Sequence, residues 1–205
     1  MAKKLGESKL ALFDRRLLRE QKAIRAHVAK FWALRRKRPK EFVEDFVLTD
    51  TQSGKPVRLS ELFGKKNELI VVHNMGAQCV MCTMWADGFN GQAHHLEDRA
   101  AFVLCSGDPV EKQRAFAGQR GWKFRMVSSQ GSTFTEAMGF RNPQDKYDGY
   151  SPGISTFAKT TGGKIYRVTR ASIGPGDEYN SGWNLMDLLP KGRGEWFPKY
   201  QYARV

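Results

Sequence analysis

At 205 residues, with 40% hydrophobic and 27% charged residues, the chain suits one soluble domain plus an extension and has the material for an ordinary core. No run of about 18 apolar residues exists, which argues against a membrane span, and no apolar signal segment follows the basic start Met1-Ala2-Lys3-Lys4. The net charge of +13 sits mostly in residues 1–40, with 14 basic against 3 acidic residues; residues 41–205 hold 20 against 18. Nucleic-acid binding by the main domain is therefore not expected. Three cysteines leave at least one outside any intramolecular disulfide, which suits a reducing compartment and predicts a cytoplasmic protein.

The organisation predicted is an arm over residues 1–40 and a domain over residues 41–205. From about Glu7 to Lys37, Leu10, Phe13, Leu17, Ile24, Val28 and Phe31 recur at helical spacing with arginines and lysines between them. Pro39 ends this basic amphipathic helix, which is expected to pack on its own domain or to make a homodimer with a second copy; contact with a membrane surface or a nucleic acid is the alternative reading. A β-hairpin follows, Phe42–Thr49 and Val57–Leu59, turned by residues 50–55, and then a single helical turn over Ser60–Gly64.

Leu69–Asn74 is a continuous apolar run, as in a strand covered on both faces. After Met75-Gly76-Ala77-Gln78 comes Cys79-Val80-Met81-Cys82, which opens a helix running on toward His95. Ala101–Ser106 predicts a second strand. Asp108 is the predicted cap of the next helix, with Pro109 in its first turn and Gly121 at its end. Trp122–Ser128 predicts a third strand, Ser132–Met138 a short helix, and Arg141–Tyr150 a polar loop. Gly153–Lys159 and Lys164–Thr169 form a hairpin, and Trp183–Leu189 is a last helix stopped by Pro190. Alternating strands and helices imply an α/β, thioredoxin-like fold, a central mixed sheet flanked by helices, with the cysteines at the carboxyl rim of the sheet.

A helix N-terminus presents unpaired N–H groups and roughly +0.5 of a charge, which favours a thiolate. Cys79 is therefore the predicted nucleophile, and Cys82, one turn on, can resolve a mixed disulfide. Half of a zinc site is the competing reading of the same spacing. The soft ligands that could complete it are Cys105, His73, His94 and His95, and none forms a second paired cluster. No metal and no cofactor is called for. Pro152, after Ser151 and just before a strand, is expected as a cis proline beside the cysteines, with backbone groups that pair with an extended substrate. His73 ends the strand before the motif, where it could stabilise a thiolate, although a structural histidine is the simpler reading. Trp85 and Phe89 are expected as core or rim aromatics, and Cys105 as a buried, inert thiol. Gly88, Asn90 and Gly91 disfavour helix, at roughly 1 kcal/mol per glycine, so a kink or an end of the helix, or a close approach of its backbone to another group, is expected near them.

Several segments carry a family resemblance: His73-Asn74-Met75-Gly76, the cysteine pair running into Trp85–Gly91 (WADGFNG), Ser128–Ser132, Ser151-Pro152-Gly153 and Trp183–Pro190. From about residue 7 to 202 the chain resembles bacterial thioredoxin-like proteins grouped as a domain of unknown function, related in fold to peroxiredoxins of the alkyl hydroperoxide reductase type. The resemblance implies a thioredoxin-like fold. Many such relatives have proline after the first cysteine; here it is Val80. The functional expectation is a thiol–disulfide oxidoreductase acting on protein or small-molecule disulfides. The alternatives are a thiol peroxidase, or a binding and assembly module in which the thiols are incidental. Peroxiredoxins need Thr or Ser three residues before the peroxidatic cysteine, and Gly76 holds that position.

Overall fold

A computed structural model describes residues 8–144 and 149–203. The sequence-predicted helix start at Glu7 and part of the polar loop lie outside them. The chain divides after Pro39 into two compact units.

The first unit is one helix, α1 (Lys9–Arg36). Ser8 caps it by accepting from the Ala11 N–H at 3.1 Å, and Arg35 and Arg36 lie in its last turn, where cations suit the carboxyl end of the dipole. None of its residues is buried.

The second unit is built on an eight-stranded mixed sheet ordered β1-β8-β7-β4-β5-β6-β2-β3. The strands are β1 (Glu41–Val43), β2 (Val47–Asp50), β3 (Pro56–Arg58), β4 (Glu68–Asn74), β5 (Ala101–Ser106), β6 (Arg125–Ser128), β7 (Gly153–Lys159) and β8 (Ile165–Ser172). Strands β4, β5 and β6 run parallel, and β7 and β8 add antiparallel partners. The fold is thioredoxin-like. One sequence expectation fails here. The first hairpin strand, expected over Phe42–Thr49, breaks at residues 44–46, and its two pieces join opposite halves of the sheet. Glu41–Val43 pairs with β8, while Val47–Thr49 pairs with β3. The Glu41 carboxylate anchors the first piece by a two-oxygen grip on buried Arg167, at 2.8–3.1 Å.

Alternation along the strands feeds two cores. Leu69, Val71, Val103, Cys105 and Val127 face one side, under α2 (Leu59–Leu62) and α5 (Phe134–Ala137). Val72, Phe102, Leu104 and Met126 face the other, under α3 (Val80–Arg99), with Ala117 of α4 (Val110–Arg120) at its margin and Trp183 of α6 (Ser181–Asp187) within it. Helix α3 runs unbroken through Gly88 and Gly91, so it does not end there as the glycines suggest. Its buried stripe of Trp85, Ala86, Phe89 and Ala93 outweighs a propensity cost of about 1 kcal/mol per glycine. Around Gly91 there is open space, so no close contact demands a glycine there. Gly121 ends α4 with φ 69°, as expected.

Candidate active site

Strand β4 carries the chain to the carboxyl rim of the sheet, where residues 75–78 turn it into α3. Asn74, on the α3 side, ties the two ends of the turn together. Its Oδ1 accepts from Gly76 N at 2.7 Å and its Nδ2 donates to the Cys82 carbonyl at 3.4 Å. Gly76 adopts φ +105°, and a Cβ there would fall 2.6 Å from Asp108 Oδ2. That carboxylate, on the neighbouring β5–α4 loop, accepts from Ala77 N at 2.7 Å and pairs with Lys112 Nζ at 2.7 Å. Asp108 was expected to cap α4. Instead Pro109 occupies that position, without a side-chain cap, and Asp108 pins the loop that delivers Cys79. A signal for this role was present: an Asp just past a parallel strand stands at the same rim as the preceding loop.

Cys79 takes the N-cap of α3. Its Sγ accepts from Cys82 N at 3.2 Å, and its carbonyl accepts from Thr83 N and Oγ1, each at 3.0 Å. Cys79 is half-buried and Cys82 is buried directly behind it; both are free thiols, as is Cys105. The Cys82 thiol donating to the Cys79 sulfur is the largest influence on Cys79. The backbone N–H groups of Cys82 and Met81 add to it, and together they overcome the opposing effect of burial and lower the Cys79 pKa to about 6. Cys82 is driven strongly upward because its proton is held on Cys79, because it is buried, and because the Cys79 charge repels a second one. The two shifts together put the negative charge of the pair on the Cys79 sulfur and keep the proton on Cys82.

His73 and Cys105, paired in register on β4 and β5, both face the opposite side of the sheet from α3. The His73 ring stacks on Phe140 at 4.2 Å and bonds Ser155 Oγ through Nε2 at 3.0 Å, while its Nδ1 is buried without a partner. Burial, aided by the charges of Arg167 and Arg170, lowers its pKa to about 3. His73 is therefore a neutral core histidine away from the Cys79 sulfur. Burial pushes the Cys105 thiol up to about 12. Neither can join the cysteine pair as a metal ligand, and among the described residues no three His, Cys, Asp or Glu side chains gather as a metal site.

Pro152 lies one residue beyond the His73–Gly153 pair, level with Asn74 at the rim. The expected cis bond is absent: every peptide bond of the described residues is trans. The Ser151 N–H already donates to the Phe140 carbonyl at 3.0 Å, and the Pro152 carbonyl accepts from Ile173 N at 3.4 Å. Neighbouring backbone holds this corner and uses groups expected to face a substrate. Trp85 is a core residue, packed on Trp183, and its Nε1 donates to Asp177 at 3.0 Å. Asp177 also accepts from the N–H groups of Gly174, Tyr179 and Asn180, so it joins the loop before α6 to α3.

Sequence reasoning missed Tyr200. Its hydroxyl donates to the Ala77 carbonyl at 3.0 Å, its ring meets Phe116 edge-on, and its own carbonyl accepts from Arg120 Nη1 at 2.6 Å. Burial, with added repulsion from Cys79 and Cys82, raises its pKa, which places the phenol within the field of the pair. Sequence distance hid it, 121 residues after Cys79. The cleft behind the loop, lined by Asn74, Gly76 and Asp108 among others, has a volume of about 10 Å³, room for roughly one water. A larger cleft of about 630 Å³, beside Arg114, Trp122 and Arg125, contains none of the cysteines.

Solved structures share this architecture. Peroxidoxin BcpB from Mycobacterium tuberculosis is similar at 28% identity and a TM-score of 0.53, over 65% of this chain and 84% of that one. A cysteine-to-serine mutant of PrxQ from Xylella fastidiosa matches at 17% identity and 0.52, over 66% and 85%. A peroxiredoxin-like protein from Aquifex aeolicus matches at 12% and 0.51, over 65% and 75%. No curated protein is similar to the chain. The match to a protein family covers residues 9–205, and the chain belongs to that family, described as "Bacterial protein of unknown function (DUF899)".

Proposed function

We propose that the protein is a thiol–disulfide oxidoreductase whose working groups are Cys79 and Cys82. The observation that carries this reading is the Cys79 sulfur at the N-cap of α3, bonded by the Cys82 N–H, with the Cys82 thiol buried behind it. The Cys79 thiolate attacks one sulfur of a substrate disulfide, forming a mixed disulfide and releasing the other sulfur as a thiolate that takes up a proton. Cys82 then gives up its proton and attacks the Cys79 sulfur. A Cys79–Cys82 disulfide forms, and the second substrate thiol leaves. Two electrons pass from the protein dithiol to the substrate, and an external thiol reductant must restore them. Cys79 at a rim with little enclosed volume behind it favours a disulfide presented on a protein surface. Pro152 and Ser151, level with Asn74, would border that approach.

A second reading, peroxide reduction, is favoured by the similarity to Peroxidoxin BcpB. Cys79 would attack the peroxide O–O bond, become a sulfenic acid and release water or an alcohol; condensation with the Cys82 thiol would expel water and give the same disulfide. Gly76, at φ +105° and close against Asp108 and Gln78, supplies no hydroxyl at the position three residues before Cys79. The two readings separate by assaying insulin-disulfide reduction and peroxide consumption with the same recycling reductant. Turnover of insulin without peroxide consumption supports exchange, the reverse supports the peroxidase, and neither would overturn both.

A further inference from the structure

We infer that α1 is a dimerisation arm that pairs antiparallel with α1 of a second copy of this chain. The helix is 28 residues long, about 42 Å, and none of its residues is buried. Leu10, Leu17, Ile24 and Phe31 recur at intervals of seven; Phe13 and Leu34 fall on the companion seam positions, three residues after Leu10 and Phe31. These six side chains are 46–71% exposed. Phe13 and Phe31 offer roughly 150–250 Å² each and the aliphatic side chains somewhat less, so two such seams expose on the order of 1,000 Å² together, about the least a specific interface needs. The basic residues Arg15, Arg19, Lys22 and Arg25 lie away from the seam, so pairing does not bury them, while Arg16 and Lys30 flank it, where their long side chains can carry the charge out to water.

Orientation follows from the two polar seam positions, Glu20 and His27. Parallel pairing would stack Glu20 on Glu20 and His27 on His27, opposing like groups at the centre of the seam. Antiparallel pairing sets Leu10 against Leu34, Phe13 against Phe31, Leu17 against His27 and Glu20 against Ile24. Apolar pairs then close both ends, and neither polar residue meets its own copy. His27 satisfies one ring nitrogen within its own helix, Nδ1 to the Ala23 carbonyl at 3.0 Å, which lowers the cost of placing it in a seam. An anionic membrane surface is the competing occupant, since a basic amphipathic helix also suits it.

The test uses the full chain under reducing conditions. Light scattering is expected to give the mass of two chains, and Leu17→Glu with Ile24→Glu one chain, with the Cys79 alkylation rate unchanged as a check on the fold. A spin label on Lys9→Cys, in a Cys79→Ser/Cys82→Ser background, is expected to report about 40 Å between copies, from the rise along the helix. A distance near the ~10 Å interaxial spacing would overturn the antiparallel assignment. A wild-type monomer, whether or not it binds phosphatidylglycerol vesicles, or a dimer that survives the double substitution, would overturn the arm as the interface.

Discussion

The backbone N–H of Cys82 points at the Sγ of Cys79 over 3.2 Å, which makes the first turn of α3 both the scaffold and the charge stabiliser of one sulfur. A thiolate in place of a thiol satisfies a helix-terminal donor at no cost in backbone geometry. Cys82 contributes its N–H and its thiol to the same acceptor, which ties the reactivity of the two residues together.

The proposed exchange reaction divides its chemistry unequally between Cys79 and Cys82. Cys79→Ser is expected to lower disulfide turnover by at least about a thousandfold, since the hydroxyl supplies no comparable nucleophile. Cys82→Ser keeps the first attack and loses the second, so a mixed disulfide with the substrate accumulates and is visible by intact mass after acid quench. Retained turnover in Cys79→Ser would refute its role.

Gly76 and Asp108 are coupled through space. Gly76→Ala places a Cβ 2.6 Å from the carboxylate at a φ of +105°, and is expected to cost about 1–3 kcal/mol of stability in denaturant unfolding. In an Asp108→Ala background the clash with the carboxylate goes and only the contact with Gln78 Oε1 at 2.7 Å remains, so the same change should cost less. Equal costs in both backgrounds would show that the demand for glycine does not come from Asp108.

His73 gives the stability an acid limit. Its folded pKa of about 3 lies below the unfolded value near 6.5, so the unfolded chain binds the extra proton between those values. Stability from this group is full above about pH 6.5 and falls as pH drops. The expected loss between pH 7 and pH 5 is about 2 kcal/mol, at about 1.4 kcal/mol per unit. His73→Phe, which keeps the stacking on Phe140, should flatten this slope by one proton; an unchanged slope would contradict the assignment.

Asp177 gathers N–H donors from Trp85, Gly174, Tyr179 and Asn180. Asp177→Ala strands several of them in a partly buried corner and is expected to cost about 2–3 kcal/mol. Trp85→Phe removes one donor only and should be the milder change with respect to that loop, as read by local hydrogen exchange at residues 174–180.

Much of this fold was legible because its signals are local. The apolar run ending at Asn74 and the cysteines just after it marked a strand-to-helix junction without any knowledge of neighbours. Gly121 likewise announced the end of α4. Features that failed depend on pairing across the sheet. Residues 47–49 pair with β3 as the hairpin signal predicts, but nothing near Glu44 tells that residues 41–43 leave that hairpin and join β8 through Arg167. Pro152 was read as cis from its place before a strand, yet the observed corner, with Ser151 and Pro152 held by Phe140 and Ile173, is trans. Tyr200 escaped because its role exists only once the C-terminal segment meets the loop at Ala77, whereas the place of Asp108 just past β5 did carry a signal.

The central claim is that the fold makes Cys79 a thiolate near neutral pH. Its most direct test is the rate of Cys79 alkylation by iodoacetamide as a function of pH, in the reduced wild-type protein, with mass spectrometry locating the adduct. The account predicts a midpoint near pH 6, with Cys82 and Cys105 unmodified over the same range. A midpoint at or above the ordinary thiol value of about 8.5 would contradict it.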